Sequence, residues 1–445
     1  MSKISYTRRQ VCQLGLSTLA GAAMLDLAAC GGSTTATTTG PNSNPNVTLH
    51  LSFWGAASRD KLTQAAIKAY QKDGHSNTKI PSWFAAFSTY FTKLNTQIAS
   101  GTSPDLIQMD MGYVKQYADE KQILDLTPLI NNKTFDLSDF DQTLLADSAY
   151  NGVLYGIPLG GNYECMMYNS KMIQEAGVSA PPTTWTWDEF ATYAGKVSKA
   201  LSSKQIYGTS DASGAMDMFE IWVRTNGHDL YTASGQAGFT QDDVQTWFEY
   251  WDTMRKAGVC VPAQIQATDT SAGPATAMIT KGKAAFATAH SNQFSGFQTL
   301  TTDPLVLQFV PTGTQVGNYL KCSMSMSIAA NSKNVDAAAN FIQFLITNPD
   351  GVKAIGLDRG IPGSARAIAA LTPKLKPADQ AVINYATSIV SNKQIRPKTI
   401  LDPAAAGKVL TSLGTVSQSV GFGKLSPAAG ASQFFQSAQK TLAGS

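Results

Sequence analysis

The chain has 445 residues and a formal net charge of +3, and 43% of its residues are hydrophobic while only 15% are charged. A chain of this length and apolar content is expected to form a globular protein with more than one hydrophobic core. Its basic and acidic residues are interspersed and form no basic stripe, which argues against nucleic acid as a partner.

The chain begins with a predicted export signal. Arg8-Arg9 precedes a weakly apolar stretch from 11 to 29, which is too short and too polar to span a membrane stably. The sequence LAAC ending at Cys30 resembles the lipobox of bacterial lipoproteins, whose cysteine is lipidated and becomes the first residue of the mature protein. We therefore expect residues 1–29 to be a signal peptide that is removed.

Lipidation of Cys30 would anchor the protein to the membrane by lipid only, at the outer face of the bacterial cytoplasmic membrane, either on the cell surface or in the periplasm. Both the general secretory route and the twin-arginine route fit this signal. A chance cysteine after small residues is the alternative. Residues 30–46 form a predicted flexible tether, because no large apolar side chain follows Cys30 until Val47.

The cysteines and histidines predict no metal site and no cofactor. Cys165, Cys260 and Cys322 are widely spaced and form no CxxC pair, so they are either buried thiols or form at most one disulfide. The four histidines are far apart and lack partners at ligand spacing.

Alternating strands and helices follow the tether. Residues 47–54 alternate apolar and polar side chains as a half-buried strand does, and Ser58 is placed to cap the helix that follows. A second helix carries Phe87, Phe91, Leu94 and Ile98 on one stripe, and 105–109 form a buried strand. This order predicts an α/β sheet.

Later segments continue the pattern. Thr186 and Glu189 form a predicted capping box at the start of a helix. Residues 284–289 form a short strand, 335–346 an amphipathic helix that ends before Asn348-Pro349, and the remainder is mainly helical.

Several segments in this order resemble the extracellular solute-binding proteins of bacterial carbohydrate importers, the group that includes maltose-binding protein. The resemblance covers nearly the whole chain. Besides Cys30, it rests on Leu51–Trp54, Ala99–Asp105, Tyr155–Pro158, Tyr168-Asn169, Pro182–Trp185, Asp188–Phe190, Gly282–Phe286, Ala337–Leu345 and Arg359–Pro362. The chain departs from the pattern at His290-Ser291-Asn292-Gln293, where many members have a Gly-x-Trp whose tryptophan stacks on the sugar.

The resemblance implies a two-lobed periplasmic-binding-protein-like α/β fold of type II, with the ligand cleft between the lobes. Three hinge crossings are expected, near 158–163, near His290 and near 347–350. The first lobe would comprise 47–158 plus 291–347. The second would comprise 161–289 plus 350–445.

The implied function is that of the substrate-binding component of an ABC transporter. Such a protein captures a sugar outside the cell and delivers it to the permease transmembrane subunits by lobe closure, as a monomer, without breaking a bond. Few clustered lysines or arginines lie near the expected cleft, so a neutral sugar or oligosaccharide is predicted rather than a phosphorylated one.

Aromatic rings and planar hydrogen-bonding groups near the ends of strands are the candidate ligand contacts, because a sugar offers a hydroxyl rim and a C–H face. These candidates are Trp54, Trp83, Tyr90, Asp110, Tyr113, Glu164, Asp217, Trp222, His290, Asn292 and Arg359. Trp222 also fits a core stripe, and Arg359 also fits an ion pair with Asp358.

Two other functions remain open at this point. A secreted carbohydrate-active hydrolase would share the export signal and the aromatic and acidic cleft, although no nucleophile elbow and no HExxH pair is present. A purely structural or sensory surface lipoprotein is the third class.

Overall fold

The computed structural model describes residues 46–269, 274–398 and 400–444. The predicted signal peptide, the lipidated Cys30 and the tether up to residue 45 lie outside the described residues. Within them, no helix is long and apolar enough to cross a membrane.

Short strands and longer helices alternate along the chain. The strands are β1 Val47–Thr48, β2 Leu51–Trp54, β3 Thr78–Lys79, β4 Ser82–Ala85, β5 Leu106–Met109, β6 Ala149–Tyr150, β7 Val153–Leu154, β8 Ile157–Asn169, β9 Tyr207–Thr209, β10 Ala284–His290, β11 Leu305–Gln308 and β12 Leu320–Ile328.

The helices of the first half are α1 Ala57–Lys72, α2 Phe87–Ala99, α3 Met111–Asp119, α4 Thr127–Asn131, α5 Gln142–Asp147, α6 Ser170–Glu175, α7 Trp187–Leu201 and α8 Met216–Thr225. Those of the second half are α9 Gln241–Lys256, α10 Ala263–Gln266, α11 Phe294–Thr299, α12 Val335–Thr347, α13 Pro349–Ile355, α14 Ala365–Leu371, α15 Pro377–Ser391, α16 Ala406–Gly421 and α17 Pro427–Ala443. Single 3-10 turns lie at Ser202–Lys204, Ser291–Gln293 and Thr372–Lys374.

One eight-stranded sheet organises the described residues, with the order β4-β2-β5-β12-β8-β10-β9 and β11 paired to β8. Strand β8 is the longest, and it changes partners along its length. Tyr163 still pairs with Leu320 of β12, whereas the next residue, Glu164, pairs with His290 at the end of β10. Glu164 therefore lies where β8 passes from one set of neighbours to the other.

Two large hydrophobic cores lie along this sheet. Side chains of β2, β5 and β12 form the first core with α1, α2 and α12, and α7, α8, α9, α16 and α17 enclose the second. The largest side chains of the second core, Trp247 and Trp251, are almost fully buried. These cores occur within one compact unit of the chain.

The distribution of buried residues bears on the predicted lobe boundaries. Val352, Ala367 and Tyr385 place α13, α14 and α15 in the first core, although 350–445 was assigned to the second lobe. Asn348, where a crossing was expected, joins α12 to α13 within the first core. The division into two lobes stays a prediction, and on this packing its last boundary would lie between α15 and α16.

Most predicted elements are confirmed, with local corrections. The strand expected at 47–54 is divided into β1 and β2, because β1 pairs with β3 and β2 with β4 and β5. Ser58 is not a cap: it lies within α1, whose N-cap is Ala56. The capping box of α7 is present, since the Thr186 hydroxyl accepts from Glu189 N at 3.2 Å and the Glu189 carboxylate accepts from Thr186 N at 2.7 Å.

The cysteines of the body are not linked by a disulfide. Cys165, Cys260 and Cys322 are all buried and none forms a disulfide. Of the two alternatives left by the sequence, buried thiols are therefore correct.

Candidate functional site

The carboxyl ends of three parallel strands form one edge of the candidate site. Strand β2 pairs in parallel with β4 on one side and β5 on the other, so the loops that follow Trp54, Ala85 and Met109 emerge at the same edge. Asp110 follows β5 directly and caps α3, where its carboxylate accepts from Gly112 N at 2.9 Å. Ligands of α/β proteins bind at such edges.

Aromatic rings pack along this edge. Trp54 is 8% exposed, and the ring of Phe87 meets it edge-on at 5.4 Å. Phe91 stacks on Tyr113 with ring centroids 3.5 Å apart. Phe87 was expected on the buried stripe of its helix, but it is the first residue of α2 and is 46% exposed. Phe87 and the half-buried Tyr113 are the rings that this edge offers to a ligand.

A chain of charged groups lies where β8 changes partners. The imidazole Nδ1 of His290 contacts the carboxylate of Glu164, and its Nε2 lies 3.6 Å from Asp217. The other oxygen of Asp217 accepts from the ammonium of Lys321, at the start of β12, at 2.6 Å. Four separate elements, β8, α8, β10 and β12, thus contribute one charged group each.

Electrostatics favour the ionised state of His290, Asp217 and Lys321, whereas burial raises the pKa of Glu164. Burial opposes charge on His290, but the carboxylates of Glu164 and Asp217 outweigh it and raise the pKa of the imidazole above its usual value. Burial likewise opposes charge on Asp217, yet Lys321 and His290 hold its pKa well below the usual range. Burial raises the pKa of Asp110 against the pull of Lys321. Asp110, at the strand edge, is therefore electrostatically coupled to Lys321 and Asp217 of the charged chain.

A cavity of about 830 Å³, which we call the main cavity, opens beside the charged chain. Its walls include the α8 N-terminus, one face of α16 and the end of β10, and no lysine or arginine lines it among the described residues. Carboxylates, hydroxyls, amides and one imidazole provide its polar surface, among them those of Glu164, Ser210, Asp217, Gln266, Gln418 and His290. The N-cap of α8, Ala215, has no side-chain cap, so N–H groups of the first helical turn remain available as donors.

A second cavity of about 630 Å³ lies between the start of α1, the α13 region and the 3-10 turn that follows β10. Asn292 and Gln293 lie on its wall, together with Arg59 and Asp358. The Arg59 Nε donates to the Asp358 carboxylate at 2.8 Å. We call this the second cavity.

The structure brings several predicted contacts together. Glu164, Asp217 and His290 line the main cavity, and Asn292 lines the second cavity. Asp110 lies at the neighbouring edge of the sheet but in neither cavity. These residues come from segments distant in sequence, which meet because β8 lies between β12 and β10.

Three predicted contacts are instead structural. Tyr90 is fully buried, and its hydroxyl donates to the Gln108 carbonyl at 2.9 Å. Trp222 packs on Trp187 with ring centroids 5.3 Å apart, and its indole N–H donates to the Asp243 carbonyl. These contacts favour the alternative interpretation of Trp222 as a core residue. Arg359 is 2% exposed and lies in neither cavity.

The partners of Arg359 explain its burial. Its guanidinium donates to the Asp358 carboxylate at 3.0 Å and to the Thr63 hydroxyl at 2.8 Å, and it lies over the ring of Phe53 at 5.7 Å. It therefore ties the 356–360 segment to α1. Burial, with Arg59 nearby, lowers its pKa to about 10.

Trp54, Trp83 and Tyr113 lie at the strand edge and line neither cavity. Trp83 is half-buried, and its ring is covered by the ammonium of Lys93 at 4.0 Å. Lys321, Phe87 and Gln293 were missed by sequence reasoning. Only Phe87 had a local signal, as an aromatic residue directly after a strand.

Glu164, Asp217 and His290 are of the types that hold metal ions, and one donor atom from each lies within 4.8 Å of the others. The donor atoms are already engaged, however, because Lys321 binds Asp217 and Glu164 contacts His290 Nδ1. A cation would have to displace the ammonium. This arrangement suits a hydrogen-bonding network better than a metal centre.

Comparison with known proteins identifies the family. The family model for bacterial extracellular solute-binding proteins matches residues 55–352, more than half of the chain. A solved extracellular solute-binding protein of family 1 from Alicyclobacillus acidocaldarius is 31% identical, with a TM-score of 0.72, and the match covers 90% of this chain and 100% of that one.

Two further structures share the fold. A binding protein of Listeria monocytogenes in complex with cycloalternan and a periplasmic oligogalacturonide-binding protein of Yersinia enterocolitica in complex with digalacturonic acid are each 21% identical, with a TM-score of 0.75. Each match covers 89% of this chain and 99% of the other. A curated binding protein of Brucella abortus is 24% identical over 172 residues, and the match spans 41% of its length and 38% of this chain.

The predicted α/β fold of periplasmic solute-binding proteins is thus confirmed. The chain belongs to the bacterial extracellular solute-binding proteins.

Proposed function

We propose that this protein captures a neutral sugar or oligosaccharide outside the cell and delivers it to the permease of an ABC transporter. The observation that carries the proposal is the main cavity, about 830 Å³ in volume. Its described lining offers carboxylates, hydroxyls, amides and one imidazole, and contains no lysine or arginine. Pockets of this size hold small-molecule ligands.

The groups around the cavity suit a polyhydroxylated ligand. Carboxylates such as Asp217 accept two hydroxyl donors in a fixed plane, and these charge-assisted hydrogen bonds are about twice as strong as neutral ones. Ser210 and Gln266 can both donate and accept. The exposed ring of Phe87 at the strand edge supplies an apolar surface of the kind that packs against sugar C–H groups.

Charge favours a neutral ligand over an anionic one. Glu164, Asp211, Asp217 and Asp269 all line the main cavity. The lysine and arginine that balance them lie outside the lining: Lys321 pairs with Asp217, and Arg255 pairs with Asp211. The imidazole of His290, which is in the lining, is held between Glu164 and Asp217. A phosphate or uronate group in the cavity would meet carboxylates first.

Release to a permease follows from closure of the cleft. The charged chain joins β8, β10 and β12 where the sheet passes from the first core to the second. A ligand that contacts groups on both sides of this point stabilises the closed form by its differential contacts, and the permease need recognise only that form. The energy for transport would come from a separate ATPase.

Membrane anchoring is part of the proposal. Cys30 would carry the lipid, and the tether to residue 46 would keep a monomeric receptor near its permease while the cleft opens and closes. Replacing Cys30 by serine is expected to release the protein from the membrane fraction into the medium or periplasm. A serine variant that stays in the membrane fraction would argue against a lipid anchor at Cys30.

A thermal-shift screen tests the ligand class. Neutral mono- and oligosaccharides are expected to raise the melting temperature saturably, and uronates and sugar phosphates are not. Asp217→Asn should weaken the shift, while Asp188→Asn, an exposed carboxylate at the start of α7, serves as the matched control. Stabilisation by anionic sugars alone would overturn the proposal. Hydrolysis of the sugar without saturable stabilisation of the protein would overturn it as well.

A further inference from the structure

The two cavities meet at one side chain. Among the described residues, Gln293 alone lines both cavities. It is the last residue of the 3-10 turn after β10. Each cavity alone, about 830 and 630 Å³, is already large enough for a small-molecule ligand. The combined space therefore exceeds what a single sugar ring needs.

The turn at this junction carries polar groups without partners. The side-chain oxygen of Asn292 is buried and accepts no hydrogen bond from any described residue. The Gln293 oxygen accepts from His290 N at 3.1 Å, while its amide nitrogen donates to none of the described residues. Buried polar atoms of native proteins are nearly always satisfied, by protein, by water or by ligand. Asn292 and Gln293 thus offer an acceptor and a donor side by side, which is what a sugar hydroxyl group requires.

The bond from His290 also fixes the direction of the Gln293 side chain. Since His290 is held by Glu164 and lies beside Asp217, the junction is connected to the charged chain of the main cavity. A group bound at the junction would be oriented by a preorganised surface, which limits the entropy lost on binding.

Charged groups in the second cavity are paired or exposed. Arg59 is engaged by Asp358, and the Ser295 hydroxyl donates to Asp379 at 2.5 Å. Lys353, Lys374 and Lys376 also line this cavity and are exposed, where water and salt screen their charge. The second cavity is therefore compatible with further neutral, hydroxyl-bearing units.

We propose that the ligand is an oligosaccharide whose chain runs from the main cavity across Gln293 into the second cavity, with Asn292 and Gln293 binding the unit at the crossing. This proposal rests on the proposed function, and it adds the length of the ligand and the residues that determine it. A monosaccharide would occupy the main cavity alone.

Isothermal titration with a length series tests this proposal on the purified protein. The probes are neutral linear oligosaccharides of one to six units in the gluco, xylo, manno and galacto series. We expect affinity in the series that binds to rise with length until both cavities are filled. Gln293→Trp should bind the long members at least tenfold more weakly.

A second variant is designed to fill the second cavity from a different helix. Ala354 of α13 lines the second cavity only, so Ala354→Trp should remove the length dependence without touching the main cavity. Lys199→Trp, an exposed position on α7 outside both cavities, controls for the added indole. Thermal melts of each variant establish that it is folded.

The outcomes separate this proposal from the proposed function. Sugar binding with equal affinity for one unit and six units would overturn the crossing at Gln293 and leave sugar capture intact. Tight binding of the long members by both Gln293→Trp and Ala354→Trp would also overturn the crossing at Gln293. Failure of every neutral sugar to bind would overturn both proposals.

Discussion

Replacing Arg359 by methionine tests whether this buried arginine holds the fold together or contacts the ligand. The substitution keeps most of the apolar stem and removes the hydrogen bonds to Asp358 and Thr63. We expect a less stable protein with unchanged ligand affinity.

The magnitude follows from the partners that remain. A hydrogen bond from a charged donor contributes about 1.5–3 kcal/mol, and two are lost. Asp358 keeps its ion pair with Arg59, and the Thr63 hydroxyl keeps its bond to the Arg59 carbonyl, so neither partner is left without a hydrogen bond. The cost of burying the guanidinium, visible in the lowered pKa of Arg359, is also removed. The net loss should be about 2 kcal/mol in the free energy of unfolding.

Urea unfolding followed by tryptophan fluorescence measures this loss, and sugar titration of the same sample measures affinity. Arg359→Lys should recover part of the stability, since an ammonium can reach one partner but cannot bridge both. A methionine variant as stable as the original protein but tenfold weaker in sugar binding would refute the structural role of Arg359.

Three further variants address the site. Asp217→Asn should weaken sugar binding about tenfold, roughly 1.4 kcal/mol, because a charge-assisted acceptor is lost, and titration calorimetry measures it. Phe87→Ala should weaken binding about fivefold in the same assay, from the loss of roughly 1 kcal/mol of aromatic packing. His290→Gln should flatten the pH dependence of stability, measured by urea unfolding between pH 5 and pH 9. The pKa of His290 is higher in the folded state, so its contribution is fully present below about pH 6.5 and is lost as pH rises through the folded-state value.

Matched controls make these outcomes specific. Phe422 is exposed like Phe87 but follows α16 instead of lying at the strand edge, so Phe422→Ala should leave affinity unchanged. Equal losses from both phenylalanine variants would show that the effect does not come from the site. For His290, stability that increases from pH 6 to pH 9 in the original protein would contradict the raised pKa.

Local patterns were sufficient to predict much of the fold. The capping box of Thr186 and Glu189 depends on residues three apart, and the strands β5 and β10 are short apolar runs next to glycine, proline or polar residues. Such signals need no knowledge of distant contacts. Division of the first strand into β1 and β2 could not be predicted, because it depends on pairing with β3 and β4.

Glu164, Asp217 and His290 were predicted as ligand contacts, and all three line the main cavity. His290 ends β10 and Asp110 follows β5, positions at which side chains are free to meet a ligand. The ion pair between Asp217 and Lys321 joins residues 104 apart in the sequence, and nothing near Lys321 indicates it. The contact from Arg359 to Thr63 spans 296 residues, and without it an arginine before Gly360 is indistinguishable from a ligand contact.

Helical periodicity alone misplaced the aromatic residues. Phe87 and Phe91 share a stripe by spacing, yet Phe91 is 5% exposed and Phe87 is 46% exposed. Phe87 is the first residue of α2, and its ring contacts Trp54 and Tyr113 only edge-on. Tyr90 shows the reverse, since its hydroxyl finds buried partners that allow the whole side chain into the core.

The most direct test of the account is to titrate the purified protein with neutral oligosaccharides in a calorimeter and then analyse the recovered ligand by chromatography. The account predicts saturable binding at one site, weakened by Asp217→Asn, with the ligand recovered unchanged. Cleavage of the ligand, or saturable binding that Asp217→Asn leaves untouched, would contradict it.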